Sequence, residues 1–265
     1  MFPYVEILGR MVPTYGICMA IGIMTTCIFA CIQAQKKCLP VEDLIVIAAS
    51  AILGALTGAK LLYDIVSFGL LGILKMLING RISELTANTG FVFYGGLAGG
   101  LAGTFVSCRV TGISPSKYYT SAIPFIPVGH AIGRLGCFMA GCCYGKASSL
   151  PIAVHFPHSI SGLSPEIAVI PTQLFEATGN LAIAIYLFIK YRKMDEGSGA
   201  LKEYLVLYAL LRFFLEYLRG DIIRGSFGFF STSQWISIFI ICVILFSGII
   251  TKAVRPGLQK SRMEK

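Results

Sequence analysis

The sequence predicts an all-α polytopic membrane protein with about seven transmembrane helices, and three observations carry that prediction. Of 265 residues, 55% are hydrophobic and only 13% charged, against about 25% charged in ordinary soluble domains. The mean hydropathy of +0.76 demands a solvent other than water for most of the surface. Apolar runs long enough to cross about 30 Å of hydrocarbon recur along the whole chain. A single integral membrane domain over residues 1–265 is the economical organisation, and no soluble domain, long linker or low-complexity tract interrupts it.

The runs fall near 14–34, 43–63, 91–109, 117–138, 173–190, 201–219 and 234–252. The first lacks the charged leader and small-residue cleavage site of a signal peptide, and Lys36 and Lys37 follow it, so it reads as a true span. Residues 65–79 are apolar but shorter and interrupted by Gly69, Gly72 and Lys75, which suits an interfacial or re-entrant helix and leaves an eighth span open. The segment 144–172, with four prolines, reads as an outer-face loop containing one short strand at IAVHF. Glycines spaced by four, at 54 and 58, at 95, 99 and 103, and at 129 and 133, predict close helix packing.

Charge gives the direction. Assigning alternate loops to one side gathers thirteen Lys and Arg residues there against six on the other, which places the C-terminus in the cytoplasm and the N-terminus outside. The net charge of +9 therefore reads as membrane topology and excludes a nucleic-acid partner.

Ionisable groups inside hydrocarbon cost a few kcal/mol and face a partner or a cavity. Here they form stripes. His130, Arg134, Cys137 and Gly141 stand at offsets 0, 4, 7 and 11 in the fourth span. Gln173, Glu176 and Asn180 stand at 0, 3 and 7 in the fifth, and Tyr208, Arg212, Glu216 and Arg219 at 0, 4, 8 and 11 in the sixth. Each set occupies one helical face. With Lys60 and Tyr94 at the matching ends of their spans, the residues are expected within about 5–10 Å of the outer interface. Three cations, Lys60, Arg134 and Arg212, against one or two carboxylates would leave a positive site for an anionic lipid headgroup, for which arginine is the best-shaped side chain. The alternative is that the same residues are buried ion pairs holding helices together.

Nine cysteines lie mostly inside apolar runs, where they act as small hydrophobes. Cys137, Cys142 and Cys143 are the exceptions. Structural thiols are the leading reading. A covalent carrier activated by Arg134 and, with His130, a soft metal site are the sharper ones, and His155 with His158 offers a second metal pair. A vicinal Cys142–Cys143 disulfide would be strained and no C-x-x-C is present, which argues against quinone-coupled redox chemistry. No cofactor and no metal is expected.

Several segments carry a resemblance. Gly133-Arg134-Leu135-Gly136-Cys137-Phe138-Met139-Ala140-Gly141 is similar to the G-R-x-G-N-F-x-N-G signature of the prolipoprotein diacylglyceryl transferase family. Pro171-Thr172-Gln173-Leu174-Phe175-Glu176 resembles its P-[ST]-Q-L-Y-E, and Gly58-Ala59-Lys60-Leu61-x-Tyr63 its G-[GA]-R-L-x-Y. Tyr208-x-x-x-Arg212-Phe213-x-x-Glu216-x-x-Arg219 and Gln234-Trp235-x-Ser237 follow in the same order. The resemblance implies a seven-span enzyme of the bacterial cytoplasmic membrane that moves the diacylglyceryl group of phosphatidylglycerol to a cysteine thiol of a lipoprotein precursor and releases glycerol phosphate. By position it implies that Arg134 and Arg212 bind the phosphate, with Tyr208 assisting and Glu176 and Glu216 orienting the arginines.

The chain departs from the family pattern where the chemistry lies. Tyr94-Gly95-Gly96 stands for His-Gly-Gly, Cys137 and Ala140 for asparagines, and Cys142 for an acidic residue. His130 can supply the base that position 94 lacks, and Tyr94 can serve as a hydrogen-bond donor. Together these readings assign catalysis to Arg134, Arg212, Tyr208, His130 and Tyr94. They assign substrate binding to Lys60, Gly95, Gly96, Gln173, Glu176, Glu216 and Arg219. The partners expected are a membrane phospholipid and a lipoprotein precursor. A non-catalytic phospholipid-binding or transport protein, and a thiol-redox membrane protein, are the alternatives.

Overall fold

The computed structural model describes residues 2–81, 83, 92–194, 199–220 and 226–263, and helix dominates them. The long helices are α1 (Thr14–Lys36), α2 (Val41–Ile78), α3 (Phe93–Thr111), α4 (Ile126–Ala140), α5 (Thr172–Tyr191), α6 (Gly199–Leu215) and α7 (Thr232–Met263). Two short antiparallel hairpins, β1 (Tyr4–Ile7) with β2 (Arg10–Pro13) and β3 (Ser226–Phe227) with β4 (Phe230–Ser231), are the sheet among the described residues. Among the described residues, four segments are long and apolar enough to cross a membrane: Thr14–Lys36, Val41–Ile78, Pro115–Ala140 and Thr172–Tyr191. Thr232–Ser247 is a shorter apolar helix. The chain is thus an all-α integral membrane protein, and its contacts divide it into two compact units.

The unit Ala34–Tyr118 is built on α2 and α3. The four-residue glycine spacing does what small residues do in lipid, letting backbones touch. A Cβ at Gly58 would lie 2.3 Å from the Gly95 carbonyl oxygen, and one at Gly54 2.3 Å from that of Gly99. Around this contact the outer faces carry exposed Leu53, Leu56, Leu61, Leu97 and Leu101, which is the expected lipid-facing surface. α2 is interrupted near where the sequence reading placed the end of the second span. Gly69, whose φ of 67° and ψ of 160° are non-helical, breaks α2 into two helical pieces, so that the apolar stretch 65–79 is set off from the second span by a kink near its start. Beyond that kink Leu70, Leu71 and Ile78 are exposed.

The second unit comprises Met1–Gln33 and Tyr119–Lys265. The hairpin before α1 was not anticipated. Its turn uses Leu8 and Gly9, both at positive φ (52° and 76°), as a two-residue antiparallel hairpin requires. α1 meets α4 where Gly22 faces Gly129, and Thr26 Oγ1 donates to the Phe125 carbonyl at 3.1 Å. Pro127 sits in the first turn of α4, where a missing N–H costs nothing. α5 is the most buried long helix of this unit. One end packs Ile183, Leu187 and Tyr191 against Ile123 and Ala200, while the other presents Gln173, Glu176 and Asn180.

Residues 144–172 form a pinned loop. Gly145 N–H donates to Ile170 O at 2.8 Å, Lys146 N–H to Leu218 O at 2.9 Å, and Val154 and Val169 exchange two bonds of 3.0 Å. IAVHF therefore makes one isolated bridge, Val154 with Val169, in place of a regular strand. Fully buried Phe156 fixes the loop by packing edge-on against Phe138 of α4.

Candidate active site

The polar stripes of α4, α5 and α6 converge on Glu176. This carboxylate is 2% exposed. Its Oε1 receives Arg134 Nη2 at 2.7 Å and the Tyr208 hydroxyl at 3.2 Å, and lies 3.6 Å from His130 Nε2. The imidazole also packs against the Tyr208 ring with centroids 5.0 Å apart. One carboxylate thus ties two residues of α4 to one of α6. Asn180, one turn further along α5, turns its amide back onto the Glu176 carbonyl at 2.8 Å.

A second ion-pair group adjoins the first. Arg212 Nη2 lies 2.7 Å from Glu216 Oε2 and donates to Ser233 Oγ at 3.1 Å, and Arg219 Nε stands 4.0 Å from the same Glu216 oxygen. Arg212 also lies close enough to act electrostatically on Glu176, His130 and Tyr208, as Arg134 does. The two guanidiniums, from separate helices, therefore share one polar cluster.

Local sequence explains each placement. α6 tightens into a short turn over Glu216–Leu218, which keeps Glu216 one turn from Arg212 and brings Arg219 beside it. Gly141 is likewise not on the α4 face. It ends the helix in the left-handed conformation at φ 69°, and a Cβ there would come 2.9 Å from Ser159 Cα. Ser233 was missed by sequence reasoning, although a signal for it exists. Ser231 and Gln234 form a reciprocal capping box, with Ser231 N–H donating to Gln234 Oε1 at 3.0 Å and Gln234 N–H to Ser231 Oγ at 3.3 Å. That box starts α7 and sets Ser233 in its first turn.

Of the residues singled out from sequence, His130, Arg134, Cys137, Glu176, Tyr208, Arg212, Glu216 and Arg219 lie in this cluster, and Gln173 joins it by donating to the Cys142 carbonyl at 2.7 Å. Lys60, Gly95 and Gly96 belong to the Ala34–Tyr118 unit. There Lys60 forms an ion pair of 2.5 Å with Asp64 on its own helix, and Gly95 is part of the α2–α3 contact. Lys60 therefore does not count as an uncompensated cation. The Tyr94 side chain lies outside the described residues.

Electrostatics favour a monoanion. Arg134, Arg212 and Arg219 carry three positive charges against Glu176 and Glu216, leaving one in excess. Arg134 Nε and Arg212 Nη1 are buried and have no hydrogen-bond partner among the described residues. An unsatisfied buried donor costs about 1–3 kcal/mol, more when charged, so two of them in one cluster point to an acceptor that arrives from outside the chain.

Comparison with known proteins converges on the same chemistry. The prolipoprotein diacylglyceryl transferase family profile matches residues 4–250. A phosphatidylglycerol–prolipoprotein diacylglyceryl transferase of Clostridium tetani is 33% identical over 91% of this chain and 94% of that protein. A second, from Clostridium perfringens, is 29% identical over 89% and 90%, and one from Methylococcus capsulatus is 32% identical over 83% of each chain.

Proposed function

The chain belongs to the prolipoprotein diacylglyceryl transferase family, and on that premise we propose that it transfers the diacylglyceryl group of phosphatidylglycerol to the cysteine thiol of a lipoprotein precursor, releasing glycerol phosphate. The observation that carries the site assignment is the pair of orphaned donors on Arg134 and Arg212. A phosphodiester brings the single negative charge and the acceptor oxygens those donors lack, in the planar geometry that guanidinium forks fit.

The chemistry follows from charge flow. The acceptor sulfur bonds to the glyceryl carbon, the bond from that carbon to the phosphate oxygen breaks, and the electron pair stays on phosphate. Negative charge grows there, where Arg134 and Arg212 stabilise it without reorganising. Glu176 and Glu216 are positioning residues that hold the guanidiniums, and Tyr208 shares the load on Glu176. His130 is the candidate base for the thiol proton. Gln173 anchors the turn carrying Cys142, while Lys60, Tyr94, Gly95 and Gly96 are assigned to the donor lipid by motif position. The finer topology, seven spans in the bacterial cytoplasmic membrane with the N-terminus outside and the C-terminus cytoplasmic, rests on the apolar runs and on the excess of thirteen basic residues over six.

Purified protein incubated with labelled phosphatidylglycerol and a cysteine-bearing lipoprotein signal peptide tests this. One glycerol phosphate released per thioether formed is the expected result. Saturable lipid binding without release overturns it in favour of a lipid-binding protein, and a disulfide that cycles with quinone overturns it in favour of redox chemistry.

A further inference from the structure

Beside the phosphate cluster lies a group of side chains to which the transfer step above gives no role. The Sγ atoms of Cys137, Cys142 and Cys143 all lie within 4.8 Å of one another. The arrangement is produced by the left-handed residue Gly141. It ends α4 and turns the chain back, so that Cys142 N–H donates to the Cys137 carbonyl at 3.2 Å. Cys143 continues the reversal with φ of 60°. Two α5 side chains hold the turn in place: Gln173 donates to Cys142 O at 2.7 Å, and Thr172 Oγ1 to Cys143 O at 2.9 Å. The Cys142 thiol is in hydrogen-bonding contact with both of the others. The three sulfurs are thus converged by built backbone geometry, and are not merely near in sequence.

We propose that Cys137, Cys142 and Cys143 form a three-thiolate site for a soft divalent metal of the zinc class, leaving one coordination position for the thiol of the acceptor. A tetrahedral zinc site with bonds of about 2.3 Å needs sulfurs roughly 3.8 Å apart, within about 1 Å of the spacing here. Three protein ligands and an open fourth position are the pattern of a reactive site, whereas structural zinc takes four. Arg134 Nη1 stands 3.8 Å from Cys137 Sγ, close enough to favour its thiolate. Oxygen-seeking cations such as magnesium are excluded by the all-sulfur donor set.

The role in transfer rests on the transferase reading; the metal site does not. A thiol that coordinates the ion gives up its proton to His130, the base of the transfer step, and displaces a water. Its sulfur then forms the carbon–sulfur bond, the carbon–oxygen bond to phosphate breaks, and the electron pair leaves on glycerol phosphate beside Arg134. The thioether product is a weaker ligand than a thiolate, so water replaces it. Because the Arg134 fork touches Cys137 on one side and Glu176 on the other, the nucleophile and the phosphate are brought to the same guanidinium.

Full-length protein in detergent, loaded with zinc and separately with cobalt, provides the test. One zinc per chain is expected to survive gel filtration, and the cobalt form is expected to show a thiolate-to-cobalt charge-transfer band. Both disappear in the C142S/C143S variant and persist in C38S/C242S. Removing zinc with a chelator lowers thioether formation roughly 100-fold, the scale of a lost general base, and added zinc restores it while phosphatidylglycerol binding stays unchanged. No retained zinc, or equal retention by C142S/C143S, overturns the site. A rate unmoved by chelation in protein that had bound zinc overturns the role of the ion in transfer. Zinc-loaded protein that shows the cobalt band yet forms no thioether refutes the transferase reading, while the metal site stands.

Discussion

Replacing Arg134 by lysine separates charge from shape at the centre of the cluster. The wild-type guanidinium spends Nη2 on Glu176 at 2.7 Å, reaches Cys137 with Nη1 at 3.8 Å, and leaves Nε buried without a partner. A lysine ammonium can keep the Glu176 ion pair and the positive charge. It cannot also present a planar pair of donors to a phosphate. The loss is one charged hydrogen bond to the group on which charge develops, about 1.5–3 kcal/mol, which corresponds to a fall of about 10- to 150-fold in kcat/KM. The fall should appear mainly in kcat, because the contact strengthens as the phosphate becomes a leaving group. The assay is transfer of label from phosphatidylglycerol to a cysteine peptide by purified protein. Thermal unfolding of R134K should stay within a few degrees of wild type, since the helix-to-helix ion pair survives. Turnover within about threefold of wild type, with the fold intact, would refute the assignment of Arg134 to the phosphate.

Three further outcomes follow from the same geometry. Glu176→Gln removes the counter-charge from buried Arg134 while keeping the size, and should destabilise the α4–α5–α6 unit by about 3–5 kcal/mol; a melting point equal to wild type would show that the pair is not structural. Gly99→Leu places a side chain where a Cβ alone would lie 2.1 Å from the Gly54 carbonyl oxygen, so α2 and α3 should separate, seen as proteolytic cleavage near the unit or loss of yield, whereas Leu97→Val on the exposed face should change neither. Ser233→Ala removes the acceptor of Arg212 at 3.1 Å but leaves Glu216, and should cost about 1 kcal/mol, or roughly fivefold in kcat/KM; a loss beyond a hundredfold would mean that Ser233 acts on substrate directly.

The site was legible in the sequence wherever polar residues recur at helical spacing in an apolar run. His130 and Arg134, Gln173 and Glu176, and Tyr208 and Arg212 could be placed on faces because a helix in lipid satisfies its own backbone and leaves only side chains to explain. What escaped depends on backbone that departs from the helix. Gly141 ends α4 in the left-handed conformation, so periodicity carried past Cys137 put Gly141 on a face it does not occupy, whereas Glu216 and Arg219 stay beside Arg212 although the helix tightens over Glu216–Leu218. Gly69, by contrast, was legible: the interruption read in 65–79 coincides with a non-helical residue that divides α2. The charge count from sequence took Lys60 as a bare cation and left out Asp64, one turn on, which pairs with it. The N-terminal hairpin has no apolar alternation strong enough to announce it, and its turn rests on Leu8 in a conformation that leucine seldom adopts.

The surplus of one positive charge, three guanidiniums set against two carboxylates, bears on how the cycle ends. On the proposed function, phosphatidylglycerol enters as a diester with a single negative charge and neutralises the cluster. The departing fragment is a monoester, whose second ionisation near neutral pH gives it nearly twice that charge. Once it detaches, Glu176 and Glu216 are left competing with an overcharged guest for the same arginines, and repulsion favours its escape into water. The two glutamates, which look like a handicap for gripping an anion, are thereby a means of letting go of one, and neutralising either should trap spent headgroup in the site.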